Sequence, residues 1–339
     1  MATPKIAPYG TWTSTLSAAD VAAETLHLSC VAVDGDDIYW LEGRPQEGGR
    51  NVVVRCTADG NINDITPKGI DIRTRVHEYG GGAFTVIQGN IFYINSADQR
   101  LYQMSVVSDL SDAPLPQPLT QPGHWFYADF TIDLVRQRLI CIREDHTVAG
   151  QEAVTTLVLV SLEGMSEVKV IASGYNFYST PRFSADGCRL AWLSWNHPLM
   201  PWDGTELWVA DVNNDGMLEN CERIAGGTSE SIYQPEWSVS GELYFISDRT
   251  GWWQLYRYSG ECVQSVLQEQ PPLAEFGRPQ WILGTSSFAM TGPSSLLASY
   301  VREGHWRLAT INTKTEKESS ILLDIRSLFN VSFFFVISS

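Results

Sequence analysis

Basic residues are scarce in this sequence. Lys and Arg number 23 against 39 Asp and Glu, which gives the 339 residues a formal net charge of -16. Proteins that bind nucleic acid gain much of their affinity by neutralising phosphates with Lys and Arg. The charge balance therefore argues against DNA or RNA as a partner and favours cationic ligands.

Paired cysteines and long apolar runs are also missing. The six cysteines are scattered without a Cys-x-x-Cys pair, so we expect buried free thiols instead of the disulfide framework of a small secreted domain. No charged start followed by an apolar run opens the chain. The most apolar stretch, LFNVSFFFVI at residues 328–337, is too short to span a bilayer. These absences predict a cytoplasmic setting and no membrane partner.

The sequence does contain a repeated β-meander, clearest over residues 229–258. Its apolar runs, LYFI and WWQLYRY, do not alternate strictly with polar residues, as expected when both faces of a sheet are covered. A several-stranded repeat of about 50 residues predicts an all-β fold, a β-propeller of four-stranded antiparallel blades. Strings resembling LYFI begin 48 to 53 residues apart, at Ile38, Ile91, Leu139, Leu190, Leu243 and Leu296.

The repeat divides the chain into three parts. We expect an N-terminal arm and short helix over residues 1–27, with Ser17 and Asp20 as a capping pair. Blades one to six are predicted over residues 28–323, with QWILG, LLASYV and HWRLATIN as strands of blade six. Residues 324–339 are predicted to be a partial seventh blade or truncated tail. Because this tail is apolar and β-prone, we expect it to promote self-association.

Two glycine-containing segments allow more than one interpretation. Gly80, Gly81 and Gly82 suggest a phosphate cradle, but their spacing is not that of a Walker motif, and tight backbone packing near the ring axis is favoured. The series from Asp211 to Glu222 fits a calcium-loop pattern, yet NNDG is also a preferred hairpin turn. We predict no bound metal and no cofactor.

An aromatic insertion, WNHPLMPWDG at residues 195–204, is longer than a hairpin needs. Trp195 and Trp202 either form a contact surface or fold back as core. Adjacent His77 and Glu78 would point to opposite faces if they lay in a strand, which weakens them as a catalytic pair.

Four long phrases carry a resemblance to a known family. They are DGDDIYWLEGRPQEGGRNVVVR, RVHEYGGGAF, RFSADGCRLAWLSWNHPLMPWDGTELWVA and PEWSVSGELYFISDRTGWWQLYRY. They resemble the amino-terminal propeller of the prolyl oligopeptidase family of serine peptidases, particularly its bacterial dipeptidyl aminopeptidase and acylaminoacyl-peptidase branch. The resemblance implies a propeller, typically of seven blades, that caps an α/β-hydrolase domain with a Ser-Asp-His triad and restricts entry to it.

The sequence departs from that family in one respect. No Gly-x-Ser-x-Gly nucleophile elbow occurs in the 339 residues, and no strand-elbow-helix context follows residue 323. We therefore assign no catalytic residue and expect no hydrolysis by this chain alone. Its expected function is to gate peptide access to a separate or absent α/β-hydrolase domain; the alternative is an independent propeller scaffold that binds protein or a small ligand.

The resemblance also implies residues that line the face turned toward the active site. An acidic residue there could hold the amino terminus of a peptide by a charge-assisted hydrogen bond. The substrate-gating candidates are His77, Glu78, Tyr79, Asn196, His197, Trp202 and Asp203.

Overall fold

The chain folds into six antiparallel sheets that follow one another in sequence, as a β-propeller. The computed structural model describes residues 6–12, 14–23, 26–106, 115–267 and 273–321. Each of the first five sheets has four strands in chain order, and the sixth has five. The predicted all-β propeller with six blades is confirmed. The predicted partial seventh blade falls on residues 324–339, outside the described residues.

The first three blades are built from β1 to β12. Blade one contains β1 (His27–Asp34), β2 (Asp37–Arg44), β3 (Arg50–Cys56) and β4 (Ile62–Asp64), with a short 3-10 helix at Pro45–Glu47. Blade two contains β5 (Phe84–Ile87), β6 (Asn90–Ile94), β7 (Leu101–Ser105) and β8 (Gln117–Pro118). Blade three contains β9 (Trp125–Asp133), β10 (Arg138–Asp145), β11 (Val154–Ser161) and β12 (Lys169–Ala172).

The last three blades are built from β13 to β25. Blade four contains β13 (Phe177–Phe183), β14 (Arg189–Trp195), β15 (Glu206–Val212) and β16 (Leu218–Gly226). Blade five contains β17 (Ile232–Trp237), β18 (Leu243–Ser247), β19 (Gln254–Tyr258) and β20 (Val263–Ser265). Blade six contains β21 (Ala274–Glu275), β22 (Phe288–Gly292), β23 (Ser295–Arg302), β24 (His305–Asn312) and β25 (Lys317–Ile321).

One short helix precedes the blades. It is α1 (Ala18–Ala23), and the Ser17 hydroxyl accepts a hydrogen bond from the Asp20 backbone N–H at 3.0 Å while the Asp20 carboxylate accepts one from the Ser17 N–H at 2.8 Å. This reciprocal pair satisfies two backbone donors that a helix start leaves free. Within the described residues, no helix is long and apolar enough to cross a membrane.

The hydrophobic core lies between successive blades. Five clusters join blade one to two, two to three, three to four, four to five and five to six. In blade five, Leu243 and Phe245 pack toward blade four, whereas Tyr244 and Ile246 pack toward blade six. All four are buried, and burying such side chains contributes roughly 1.5 to 3 kcal/mol each. The LYFI runs are therefore apolar on both faces because both faces are covered, as the sequence predicted.

The innermost strands of blades one, three, four and five each contain a bulge with a left-handed residue. Cys30, Asp129, Thr180 and Gln234 have φ between 46° and 52°, and each lies where the pairing of the inner strand with the second strand shifts register. The side chains of two of these residues form hydrogen bonds with the next blade. The Asp129 carboxylate accepts the Thr180 N–H at 2.8 Å, and the Gln234 amide donates to the Phe288 carbonyl at 2.6 Å. The bulges thus connect neighbouring inner strands around the axis.

The predicted strand QWILG is wrong. The inner strand of blade six is split into β21 and β22, which both pair with β23. Between them, residues 276–287 leave the sheet, and we call them the crossing segment. Gln280 reaches Ser179 in blade four at 3.3 Å, and the Leu283 N–H donates to the Gly80 carbonyl of blade two at 2.9 Å. The pattern of apolar residues in QWILG reflects these contacts and not a sheet.

The glycine cluster packs tightly against backbone, as the favoured interpretation predicted. Gly81 pairs in parallel with Leu283, and a Cβ on Gly81 would overlap the Leu283 carbonyl. A Cβ on Gly82 would lie 3.0 Å from the Asp129 Cα. Both glycines also have positive φ, 93° and 58°. Because three blades meet here backbone to backbone, side chains are excluded.

The expectation of buried thiols holds for only one cysteine. Cys141, in the second strand of blade three, is fully buried, and Cys30 and Cys56 are half-buried. The other three lie in turns or in an outermost strand, where one face meets solvent, and are exposed: Cys188, Cys221 and Cys262. All six are free.

Candidate functional site

A cavity of about 490 Å³ opens at one end of the ring. It lies at the end where the inner strands begin and where the second and third strands of each blade are joined. The lining comes from the turn before β5, the β10–β11 hairpin, the start of β13, the β14–β15 insertion and the crossing segment. Its most informative side chains are His77, Glu78, Tyr79, Glu144, His146, Glu152, Phe177, Trp195, His197, Trp202 and Trp281.

The turn before β5 presents the first of these residues. His77 and Glu78 both adopt the left-handed conformation, with φ of 55° and 64°, so they lie in a turn and not in a strand. The condition under which they would point to opposite faces, a strand, is therefore not met, and both line the cavity. The Glu144 carboxylate accepts the His77 N–H at 2.8 Å, which fixes the turn against blade three.

Glu144 is a buried carboxylate that the sequence analysis missed. It lies near the end of β10, where it accepts the His77 N–H and is 3.1 Å from His146 Nε2. Burial raises the pKa of Glu144, while the hydrogen bonds from His77 and His146 oppose that rise. The signal in the sequence was a glutamate directly after the buried run LICIR.

The His77 ring is enclosed by aromatic side chains. It meets Phe177 and Trp195 edge to face, with centroid distances of 5.2 and 5.6 Å. Burial lowers the pKa of His77 to about 4, so the imidazole is neutral near pH 7. Within the described part of the chain, its buried Nε2 has no hydrogen-bond partner. A neutral ring there adds no positive charge to the cavity.

The aromatic insertion contributes both core and cavity wall. Trp195 is buried and stacks on Phe177 at 5.3 Å, which agrees with the core alternative. Trp202 is half-buried and packs on Trp281 with a centroid distance of 4.4 Å, and Tyr79 meets Trp281 edge to face at 5.6 Å. The three rings form one apolar wall of the cavity.

Five of the seven gating candidates line this cavity, and two do not. Asn196 and Asp203 instead hold the insertion in place, since Asn196 Oδ1 accepts the Asn176 N–H at 2.7 Å and the Asp203 carboxylate accepts the Met200 N–H at 3.0 Å. His197 is exposed at the rim, 3.3 Å from the Glu152 carboxylate. Those lining the cavity are His77, Glu78, Tyr79, His197 and Trp202.

The cavity is acidic. Glu78, Glu144 and Glu152 line it, and none of its lining residues in the described ranges is Lys or Arg. Carboxylates beside aromatic rings attract cations both by charge and by the negative faces of the rings. The arrangement is therefore suited to an ammonium group attached to an apolar or aromatic body.

The calcium-like loop forms a β-hairpin turn between β15 and β16. The side-chain oxygen of Asn213 accepts the Asp215 and Met217 N–H groups, both at 3.0 Å. Asp211 accepts a hydrogen bond from the Asn220 amide at 2.8 Å. The described residues contain no group of three or more His, Cys, Asp or Glu arranged to hold a metal ion. These contacts agree with the hairpin alternative.

Solved structures of peptidases resemble this chain over most of its length. Puromycin hydrolase is 31% identical with a TM-score of 0.83, and the match covers 93% of this chain and 50% of that one. A Mycobacterium tuberculosis puromycin-hydrolyzing peptidase is 34% identical with a TM-score of 0.82, covering 94% of this chain and 50% of that one. No protein-family model and no curated protein matches the sequence.

A more distant match shows the same fold. Prolyl oligopeptidase B from Galerina marginata is 12% identical with a TM-score of 0.61, over 89% of this chain and 44% of that one. The present chain spans about half the length of each of these proteins. Fold and similarity thus define a peptidase-associated β-propeller. The chain matches the propeller regions of the puromycin-hydrolysing peptidases, and it shares its fold with the propeller region of prolyl oligopeptidase.

Proposed function

We propose that this propeller receives the free amino-terminal end of a peptide and holds it for an α/β-hydrolase domain of the aminopeptidase type. The single observation that carries this proposal is the acidic cavity. Three glutamates line it, and none of the described lining residues is Lys or Arg. A free α-amino group is the cation that distinguishes the end of a peptide from its interior.

The aromatic wall supports a preference for the first side chain. Tyr79, Trp202 and Trp281 offer ring faces beside the carboxylates, and stacking or edge contacts with an aromatic ligand contribute about 0.5 to 1.5 kcal/mol each. Puromycin, the substrate named for two of the similar proteins, is an aminoacyl nucleoside with a free amino group and a methoxyphenyl ring. We infer that this cavity accepts compounds of that chemical class.

The rim of the cavity supports an orientation toward the hydrolase domain. Tyr79, Met200, Trp281 and Ile282 are 62, 40, 51 and 37% exposed and surround the opening. Clustered exposed apolar side chains mark contact surfaces in soluble proteins. We therefore place the hydrolase domain over this end of the ring, in a reducing, cytoplasmic setting that the six free cysteines favour.

An acylaminoacyl-peptidase, the other type in the same branch, is less well supported. Its substrates carry a blocked and uncharged amino terminus, for which three carboxylates offer no complementary charge.

The test is a comparison of matched ligands. Phe-Gly-Gly, its N-acetylated form and puromycin are titrated against the chain, with quenching of Trp fluorescence as the signal because Trp202 and Trp281 line the cavity. We expect Phe-Gly-Gly and puromycin to bind at least tenfold more tightly than the acetylated peptide. Equal affinity for the free and acetylated peptides would refute the proposal.

Substitutions locate the binding within the cavity. Glu78→Gln preserves size and hydrogen bonding but removes one charge, so it should weaken binding of Phe-Gly-Gly about three- to tenfold without affecting the acetylated peptide. Glu261→Gln is the matched control, since Glu261 is exposed in the turn between β19 and β20 and outside the cavity. If both substitutions act alike, binding is not at this site.

A further inference from the structure

A second cavity lies along the ring axis, beyond the first. It has a volume of about 330 Å³ and is lined by the inner strands of blades one to three, by Arg182 of β13 and by Gly284. These positions lie in or after the bulges, toward the end of the ring opposite the first cavity. The two cavities therefore occupy the two ends of the axial channel.

The two linings are consecutive in sequence but share no residue. Along these two segments of the chain, the last residues that line the first cavity are Gly80 and Leu283, and the first residues that line the second are Gly82 and Gly284. Gly81 lies between them and pairs with Leu283 in a parallel bridge. At this point the two cavities are separated by the main chain of Gly81 and Leu283, which pair with each other.

The crossing segment is held to several blades at once. Its Leu283 N–H donates to the Gly80 carbonyl at 2.9 Å, and Gln280 contacts Ser179 and Thr180 of blade four at 3.3 and 3.4 Å. Its Thr285 hydroxyl accepts a hydrogen bond from the Tyr233 hydroxyl of blade five at 3.0 Å.

Packing closes the remaining space. Leu283 is buried against Val76 in the cluster between blades three and four. Gly82 and Gly284 touch so closely that a Cβ on Gly284 would lie 2.9 Å from the Gly82 Cα, and the Gly82 carbonyl accepts the Asp129 N–H at 2.9 Å. Opening the wall would therefore break hydrogen bonds and expose a buried leucine.

The second cavity also differs chemically from the first. Arg182 forms an ion pair with Asp129 at 3.0 Å and lies 3.9 Å from Glu236. The Asp129 carboxylate of the second cavity is therefore already paired with an arginine, whereas the described lining of the first cavity holds three glutamates and no Lys or Arg. A cationic peptide end is better matched by the first lining than by the second.

We propose that the crossing segment and the turn at Gly80 to Gly82 close the axial channel permanently, so that a peptide reaches the first cavity only from the end where the inner strands begin. The proposal rests on the proposed function for the identity of the ligand. It deepens that function, because it makes the propeller a closed cup that gates by size at its rim and not a pore.

Hydrogen exchange tests the wall without any ligand. If the wall stays closed, the Leu283 and Asp129 amides exchange in the native chain within about tenfold of the Ile142 amide, which lies in the central strand β10. If the wall opens, these two amides exchange at least a thousandfold faster than Ile142, as amides of mobile loops do. The second result would overturn the proposal.

A tethered ligand tests passage directly. The five accessible cysteines, all except Cys141, are replaced by Ser, and one new cysteine is introduced by Thr85→Cys in the second cavity or by His197→Cys at the rim of the first. A peptide Phe-(Gly-Ser)n is attached by its carboxyl end to the introduced cysteine of each variant. The arms are four to eight residues long, roughly 13 to 28 Å when extended. The arm lengths are chosen to span the channel and to be too short to pass around the outside of the ring.

The two tether positions predict opposite results. From His197→Cys the arm should occupy the first cavity and weaken binding of free Phe-Gly-Gly at least tenfold, because tethering supplies millimolar effective concentration. From Thr85→Cys the affinity for free Phe-Gly-Gly should change less than twofold. If the arm attached at Thr85→Cys occupied the first cavity, the proposal that the wall is closed would be overturned. If free Phe-Gly-Gly does not bind at all, the proposed function fails, and the Leu283 exchange rate alone decides on the wall.

Discussion

His77 should make the stability of the fold depend on pH. Its pKa is lowered by burial from the ordinary 6.5 to about 4, so the folded state favours the neutral ring. The resulting contribution to the free energy of unfolding is fully present above pH 6.5 and is lost as the pH falls through 4. At about 1.4 kcal/mol per pKa unit, the loss amounts to roughly 3 kcal/mol.

The perturbation that isolates this effect is His77→Asn. Asn does not titrate in this range, and it tolerates the left-handed conformation that His77 adopts, with φ of 55°. We expect the difference in unfolding free energy between the original chain and the variant to shrink by roughly 3 kcal/mol between pH 7 and pH 4. The raised pKa of Glu144 acts in the opposite direction, but it is present in both proteins and largely cancels.

Urea unfolding followed by Trp fluorescence at half-unit pH steps measures this difference. His305→Asn is the matched control, because His305 is exposed at the start of β24 and its loss should leave the pH dependence unchanged. If the stability of His77→Asn parallels that of the original chain from pH 7 to pH 4, the His77 ring is no harder to charge in the folded state, and the expected pH dependence does not exist.

Three further predictions concern the ring itself. Gly81→Ala should lower the free energy of unfolding by more than about 3 kcal/mol, because its Cβ would overlap the Leu283 carbonyl. Gly89→Ala is the control: Gly89 also has a positive φ but open space around it, so the loss in the same urea melts should be about 1 kcal/mol. Asp129→Ala should lower the free energy of unfolding by about 3 kcal/mol, since it removes the carboxylate 3.0 Å from Arg182 and leaves that charge beside Glu236 at 3.9 Å; a loss below about 1 kcal/mol in urea melts would contradict this. In the native state, a thiol reagent should react fast with three cysteines and slowly or not at all with Cys141 until urea is added; the fast ones are Cys188, Cys221 and Cys262.

The sequence predicts the blades well because each blade obeys a local rule. A run such as LYFI is apolar at every position only when it lies between two neighbours, and Leu243 and Tyr244 do pack toward opposite blades. The turn at Asn213 was likewise predictable from its residues, because the Asn213 side chain accepts a hydrogen bond from the backbone of its own hairpin. Both features depend on residues close together in the chain.

The cavity was harder to predict because it depends on contacts between distant segments. Glu144 and His77 are 67 positions apart and are joined by one hydrogen bond, which no periodicity reveals. The crossing segment looked like a strand because Trp281, Ile282 and Leu283 are consecutive apolar residues. Their partners lie in blades two, three and four, so their role becomes visible only once the ring is formed.

The decisive measurement is made on a fusion of this chain with the half of the Mycobacterium tuberculosis puromycin-hydrolyzing peptidase that it does not match. We expect hydrolysis of puromycin by the fusion and none by this chain alone. Glu78→Gln in the fusion should raise the Michaelis constant at least threefold with little change in kcat. N-acetylated puromycin should be a poor substrate for both fusions. A fusion that cleaves free and acetylated puromycin equally well, and is indifferent to Glu78→Gln, would contradict the claim that this cavity holds the amino terminus of the substrate.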